Sequence, residues 1–209
     1  MTTILLVLAG YVLGSIPSGY WLPRLLTGTD IRTVGSGNTG AANVWRTVGF
    51  KVGLAVALLD LGKGFAAALL GLVVEGELAG LLAGMGATAG HYRPLFMRFR
   101  RGGKIVATTG GVALALAPLA ALATVVVWVV AFLASRYTSV ASMSSAVALP
   151  VLVLVFDGSW TVVGFAAAAA VAILVLHKAN IGRLVRGEEN RFAFHRRRIL
   201  VSTTPKSTR

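Results

Sequence analysis

Three stretches of this sequence carry residue types suited to holding a phosphate. The first is Gly35-Ser36-Gly37-Asn38-Thr39-Gly40-Ala41-Ala42-Asn43-Val44-Trp45-Arg46. Glycines let backbone N–H groups turn inward and approach an anion closely. Ser36 and Asn38 add side-chain donors, and a helix starting near Ala41 would add the positive end of its dipole. Arg46 supplies a planar fork of donors that matches phosphate. The glycines alone fit an ordinary flexible turn equally well, and the pattern is neither a Walker loop nor a dinucleotide fingerprint. The second stretch is Arg98-Phe99-Arg100-Arg101-Gly102-Gly103-Lys104. Its arginines are also explained as charge that stops a helix at a membrane surface, whereas Lys104 follows two glycines and opens an apolar run. His91, just upstream, reads as an interfacial residue.

The third stretch runs from His177 to Asn190. Helical spacing puts His177, Asn180, Ile181 and Leu184 on one face, where an apolar segment turns polar. Arg183 and Arg186 fit either a site or simple surface charge. Glu188 and Glu189 are the acidic residues of this tail, and one of them can hold an inner arginine or lysine in place. Two further groups lie inside apolar segments. Asp60 and Lys63 stand at i,i+3 and are able to pair; such intramembrane charges are functional candidates, with mutual neutralisation for packing as the alternative. Ser139, Ser142, Ser144 and Ser145 crowd the start of another apolar segment, mostly as helix-packing hydroxyls, with one able to reach a site. The chain has no cysteine, which excludes a thiol nucleophile, thiolate ligands and disulfides. No Asp/His/Glu cluster argues for a metal.

The elements that must position these residues are apolar. Hydrophobic residues make up 56% of the 209 positions and charged residues only 13%. A chain this short cannot bury so many apolar segments against itself; in a bilayer they need no burial. Apolar spans run over 4–26, 51–74, 78–97, 119–134, 138–156 and 160–177, with a shorter run at 105–117. That run reaches only about 20 Å as a helix, and Pro118 offers a break after it. Counting it separately gives seven crossings with the N-terminus outside. Nearly all of the 20 Lys and Arg residues then fall on the cytoplasmic side, while Glu75, Glu77 and Asp157 lie outside. The expectation is therefore an all-α integral membrane protein with seven transmembrane helices, some short or broken, and a cytoplasmic C-terminus. Residues 1–192 read as a single transmembrane domain, and 193–209 as a basic, flexible cytoplasmic tail whose arginines touch anionic lipid. Because the net charge of +13 is spread over loops between apolar spans, it points to membrane lipid rather than to nucleic acid.

Taken in order, the motifs resemble the bacterial acyl-phosphate-dependent glycerol-3-phosphate acyltransferases over nearly the whole chain. The resemblance begins with Gly14-Ser15-Ile16-Pro17-Ser18-Gly19 and Asp30-Ile31-Arg32 and continues through the segment ending at Arg46. It then takes in Leu59-Asp60, Lys63-Gly64, Gly90-His91, Pro94 and Gly102-Gly103-Lys104 with Val106-Ala107-Thr108, and closes on His177-x-x-Asn180-Ile181-x-Arg183-Leu184-x-x-Gly187-x-Glu189. This chain departs from the family pattern at Ile105, where glycine is usual, at Ala42, where threonine is usual, and at Arg93, where an aromatic or apolar residue is usual.

The resemblance implies transfer of a fatty acyl group from acyl phosphate to the 1-hydroxyl of glycerol 3-phosphate. The products would be lysophosphatidic acid and phosphate, formed without a cofactor on the cytoplasmic side of a bacterial plasma membrane. It implies that Ser36, Gly37, Asn38 and Gly40 hold the acyl-phosphate head, and that Arg46, Lys104, His177 and Asn180, with Ser142 nearby, hold the phosphate of glycerol 3-phosphate. Asn43 and Gly103 complete the substrate-binding set, and the two pockets are able to exchange residues. Ser36, Arg46, Lys104, His177 and Asn180 are the catalytic candidates; Asp60, Lys63, Arg183 and Glu189 are the supporting ones. A transporter or channel for phosphate-bearing anions is the rival class. It would also use basic loops, but those here gather on one face and no inverted repeat is visible.

Overall fold

The computed structural model describes residues 1–156 and 159–192; Asp157 and the basic tail from residue 193, with His195, lie outside the described residues. All regular structure among the described residues is helical. In chain order it comprises α1 (Thr2–Gly14), α2 (Ser18–Thr27), α3 (Ala41–Thr47), α4 (Phe50–Glu75), α5 (Glu77–Tyr92), a 3₁₀ turn (Leu95–Met97), α6 (Val106–Leu116), α7 (Pro118–Ser135), α8 (Thr138–Phe156), α9 (Trp160–Leu176) and α10 (Lys178–Val185).

By length and composition, four helical segments among the described residues suffice to cross a bilayer: 2–27, 50–75, 118–135 and 138–156; the pair α9 and α10, bent by 55°, makes a fifth if taken as one span. The remaining apolar runs form the shorter helices α5 and α6. Prolines set several boundaries. The first apolar run breaks at Pro17, which has no N–H to continue α1. The run expected at 78–97 stops being α-helical at Tyr92, two residues before Pro94. Pro118 separates α6 from α7 by occupying the first turn of the latter.

The packing is that of a protein dissolved in lipid. Large apolar side chains face outward, among them Leu25, Val73, Val130, Val155 and Trp160, while the buried positions are dominated by alanine and glycine. Without a hydrophobic force between helices in lipid, close backbone approach and dispersion hold them together, and small residues permit that approach. Helix α1 lies on α5, α4 packs on both α5 and α6, and α8 on both α7 and α9. At the α1–α5 contact, a Cβ added at Gly14 would stand 2.0 Å from the Ala87 carbonyl oxygen, and one at Gly90 would stand 2.2 Å from that of Tyr11. At the α4–α6 contact, a Cβ on Gly64 would meet the Thr108 carbonyl at 2.1 Å, and one on Gly111 that of Leu61 at 1.9 Å. No side chain fits between these backbones. The loops and helix ends that carry the polar residues are therefore mounted on closely interlocked helices.

Candidate active site

The first glycine-rich loop is organised from within. Gly35 and Gly37 adopt φ of 59° and 68°, left-handed conformations that glycine reaches without steric cost. The buried Asn43 amide donates to the carbonyls of Ile31 (3.3 Å), Val34 (3.1 Å) and Asn38 (3.0 Å), and its oxygen accepts the Ser36 N–H at 3.0 Å. Its hydrogen-bonding capacity thus goes into shaping the loop, a role different from the substrate contact expected for Asn43. Asn38 caps Gly40 by accepting its N–H at 2.8 Å and reaches across to the Gly102 carbonyl at 3.4 Å, joining the first loop to the second. Ser36 stays exposed at the outer edge of the loop. Helix α3 starts at Ala41 and carries Arg46 in its last turn, where the guanidinium donates to Thr138 Oγ1 at 3.5 Å.

The second loop rests on a buried charge cluster. Asp60 is 2% exposed; its Oδ1 lies 2.9 Å from Lys63 Nζ and 3.4 Å from His91 Nδ1, and it accepts the Ser18 hydroxyl. Lys63 Nζ also donates to the Ile16 carbonyl at 2.9 Å, supplying a donor at the chain break that Pro17 creates. His91 in turn forms the floor under the glycines: a Cβ at Gly103 would stand 2.1 Å from its Nε2, and one at Gly102 would stand 2.1 Å from its carbonyl oxygen. The Gly102 N–H donates to the Tyr92 carbonyl at 2.9 Å. His91 is therefore a buried strut rather than an interfacial residue. Its signal in the sequence was the adjacency of a histidine to a small residue, Gly90, which lets α5 approach α1. Arg93 steadies the outer part of the loop by donating to the Phe99 carbonyl at 3.2 Å.

Lys104 projects from this loop to the third stretch, where its ammonium donates to Asn180 Oδ1. The Asn180 amide donates to Glu189 Oε1 at 2.7 Å; Ser139 and Arg183 donate to the same carboxylate at 2.9 and 2.7 Å. His177 occupies the bend between α9 and α10 and donates from Nδ1 to the Ile173 carbonyl at 2.8 Å. In a neutral ring that bond makes Nε2 the proton acceptor. Ser142 sits one turn along α8 from Ser139 and accepts the Trp128 indole N–H at 3.3 Å.

Electrostatics tie the three stretches together. Burial pushes the Lys104 ammonium down to about 8; Glu189 opposes the shift, and Arg183, Arg101 and Arg46 add to it by repulsion. Burial likewise lowers Arg46. Burial acts to raise Glu189, but the bonds from Asn180, Ser139 and Arg183 together hold it below its ordinary value. Lys104, Arg46 and Arg183 thus converge with Glu189 as the carboxylate among them. Asp60 and Lys63 stand apart, beneath the second loop.

The fold and this arrangement define an all-helical integral membrane protein whose cationic side chains gather where its helices end. The model of the glycerol-3-phosphate acyltransferase family matches residues 4–187, and the chain belongs to that family. It is 41% identical over 196 residues to a glycerol-3-phosphate acyltransferase of Desulforudis audaxviator, covering 94% of this chain and 98% of that one. With the enzyme of that description from Listeria monocytogenes serovar 1/2a it shares 44% identity over 189 residues, covering 89% of this chain and 94% of the other. Among solved structures it resembles the glycerol 3-phosphate form of PlsY (YgiH), an integral membrane glycerol 3-phosphate acyltransferase. There the identity is 38%, the TM-score 0.87, and the coverage 92% of this chain and 96% of that chain. The lysophosphatidic acid form of PlsY gives a TM-score of 0.85 at 37% identity with the same coverage.

Ile105 stands where the resemblance leads one to expect glycine. It adopts φ 60°, a left-handed conformation that is strained for a β-branched residue, and caps the start of α6. Its side chain is 5% exposed and packs with Ala146, Ala170 and Ile173. Truncating a buried isoleucine to alanine costs about 2–5 kcal/mol, more than the ~1–2 kcal/mol of left-handed backbone strain, so the side chain holds the backbone in place. Ile105→Ala removes the packing and keeps the strain, whereas Ile105→Gly removes both. Thermal unfolding in detergent should place both variants below the parent, with glycine above alanine by about 1 kcal/mol, the reverse of their usual order.

Proposed function

We propose that this chain transfers a fatty acyl group from acyl phosphate to the 1-hydroxyl of glycerol 3-phosphate, releasing lysophosphatidic acid and inorganic phosphate in phospholipid synthesis. The observation that carries the reading is the convergence of Arg46, Lys104 and Arg183 around the one carboxylate of Glu189. Such a cluster is short of negative charge and favours a phosphate dianion. Family membership supports the reaction class, and the glycerol 3-phosphate and lysophosphatidic acid forms of PlsY support the acceptor and the product.

In this reading Arg46, Lys104 and Asn180, with Ser142 and Gly103 nearby, hold the phosphate of glycerol 3-phosphate. Ser36, Gly37, Asn38 and Gly40 receive the acyl-phosphate head, within a loop that Asn43 shapes. Phosphate is already a good leaving group, so positioning and charge stabilisation supply most of what the reaction needs. The acceptor hydroxyl attacks the acyl carbon directly, the acyl–phosphate bond breaks, and phosphate leaves with its electron pair. The hydroxyl proton passes to His177 Nε2 or to the departing phosphate. Glu189 orients Asn180 and Arg183, and Asp60 with Lys63 supports the second loop from below.

The membrane arrangement proposed is seven crossings over a single domain at 1–192, with α6 as a short one, in a bacterial plasma membrane. The N-terminus is outside and the site faces the cytoplasm, the side the positive-inside rule assigns to the basic loops. A reporter fused after Arg209 should read out as cytoplasmic, and an external reading would defeat this topology. Purified protein given acyl phosphate and glycerol 3-phosphate should release phosphate, and acyl-CoA should not replace the donor. Turnover with acyl-CoA would overturn the donor assignment, and uptake of glycerol 3-phosphate into proteoliposomes without acylation would favour a transporter.

The Lys104 ammonium sets a pH limit. Its pKa near 8 means that it is charged below that value and neutral above it, while the acceptor phosphate is already a dianion above about pH 6. The ratio kcat/KM for glycerol 3-phosphate should therefore fall as pH rises through about 8. Lys104→Arg, which stays charged, should move that alkaline limb up by two pH units or more, on the order of the gap between lysine and arginine in this setting.

A further inference from the structure

Phe192 lies five residues beyond the family match, which ends at residue 187. Yet the chain that carries it is held at three points. Glu189 is tied to α8 and α10 through Ser139, Asn180 and Arg183. The Phe192 N–H donates to the Arg136 carbonyl at 2.9 Å, at the junction of α7 and α8. The Phe192 ring is 9% exposed and sits 4.3 Å from the ring of Trp45 and 5.4 Å from that of Phe132. Tilted and edge-to-face aromatic contacts at such short range stabilise beyond the area they bury.

The contact that matters for function is with Arg46, the residue next to Trp45. Its guanidinium carbon stands over the Phe192 ring, 5.6 Å from the centroid. Helix α3, which carries Arg46, has only seven residues, and the hydrogen bond to Thr138 at 3.5 Å is long. The ring adds a flat, electron-rich surface within the roughly 6 Å over which a guanidinium is attracted. Behind the cluster, Trp128 stacks on Phe132 at 5.2 Å and donates to Ser142, so the aromatic groups back both Arg46 and Ser142.

We infer that Phe192 is a positioning residue for glycerol 3-phosphate binding, holding Arg46 in the orientation that the phosphate requires. This rests on the reading of Arg46 given above. The test is a set of variants of the full chain, with direct binding of glycerol 3-phosphate measured by calorimetry and thermal unfolding followed in parallel. Phe192→Leu keeps an apolar side chain but removes the ring face; it should lower thermal stability modestly through the lost contacts with Trp45 and Phe132, and weaken binding by the folded protein about three- to fivefold, as expected for a lost cation–π contact. Phe192→Tyr keeps the face and should bind within twofold of the parent. In an Arg46→Ala background, Phe192→Leu should have no further effect, because the residue through which it acts is gone. Binding by Phe192→Leu equal to that of the parent, or an undiminished effect in the Arg46→Ala background, would overturn the inference. If Arg46→Ala itself binds as well as the parent, the phosphate-holding role of Arg46 fails first, and the two failures are thereby told apart.

Discussion

A carboxylate enclosed by apolar helices has to be neutralised where it stands, because neither water nor lipid will solvate it. Asp60 meets this demand with Lys63 on its own helix, His91 on α5 and the Ser18 hydroxyl at the start of α2. Each partner brings a different element with it. Lys63 also reaches the Ile16 carbonyl at the Pro17 break, and His91 forms the floor of the Gly102–Gly103 turn. One buried charge thereby fixes the α1–α2 break, the α4–α5 contact and the base of the loop that presents Lys104. Removing one member of such a cluster leaves an uncompensated charge, which costs several kcal/mol.

Above that base, cationic groups are assembled by a different device. Arg46 comes from a two-turn helix, Lys104 from a glycine turn, and Arg183 from the helix after the 55° bend. Helix ends and loops escape the demand for internal hydrogen bonding that governs the bilayer interior, and their polar groups are free to face a water-soluble molecule. Glu189 keeps the assembly from repelling itself apart, since a single carboxylate accepts from Asn180, Arg183 and Ser139 on two helices.

Much of this was legible in the sequence, for physical reasons. A long apolar run has few alternatives to a helix, so the helical segments and the break at Pro118 could be read directly, whereas the break at Pro17 and the early stop at Tyr92 inside expected spans could not. The residue types of the three polar stretches were equally plain. What could not be read was which way a side chain faces. Asn43 carries a suitable amide, but whether that amide turns to a ligand or back to its own loop depends on the loop's path. His91 gave no hint of Asp60, because nothing in a one-dimensional pattern pairs α4 with α5. Phe192 was hidden by its neighbours: in a tail rich in arginine, one aromatic ring gives no periodic signal. Ile105 stood out as a departure, but only its backbone conformation shows why a glycine would be at ease there and how a buried side chain compensates.

The glycine contacts between α1 and α5, and between α4 and α6, carry a mechanical consequence. Where the Cα of one helix seats against a carbonyl of the next, the two backbones touch with no side chain between them. Parting these helices would forfeit backbone contacts that no side chain could follow across the gap, so the frame is costlier to open than the short helices and loops mounted on it.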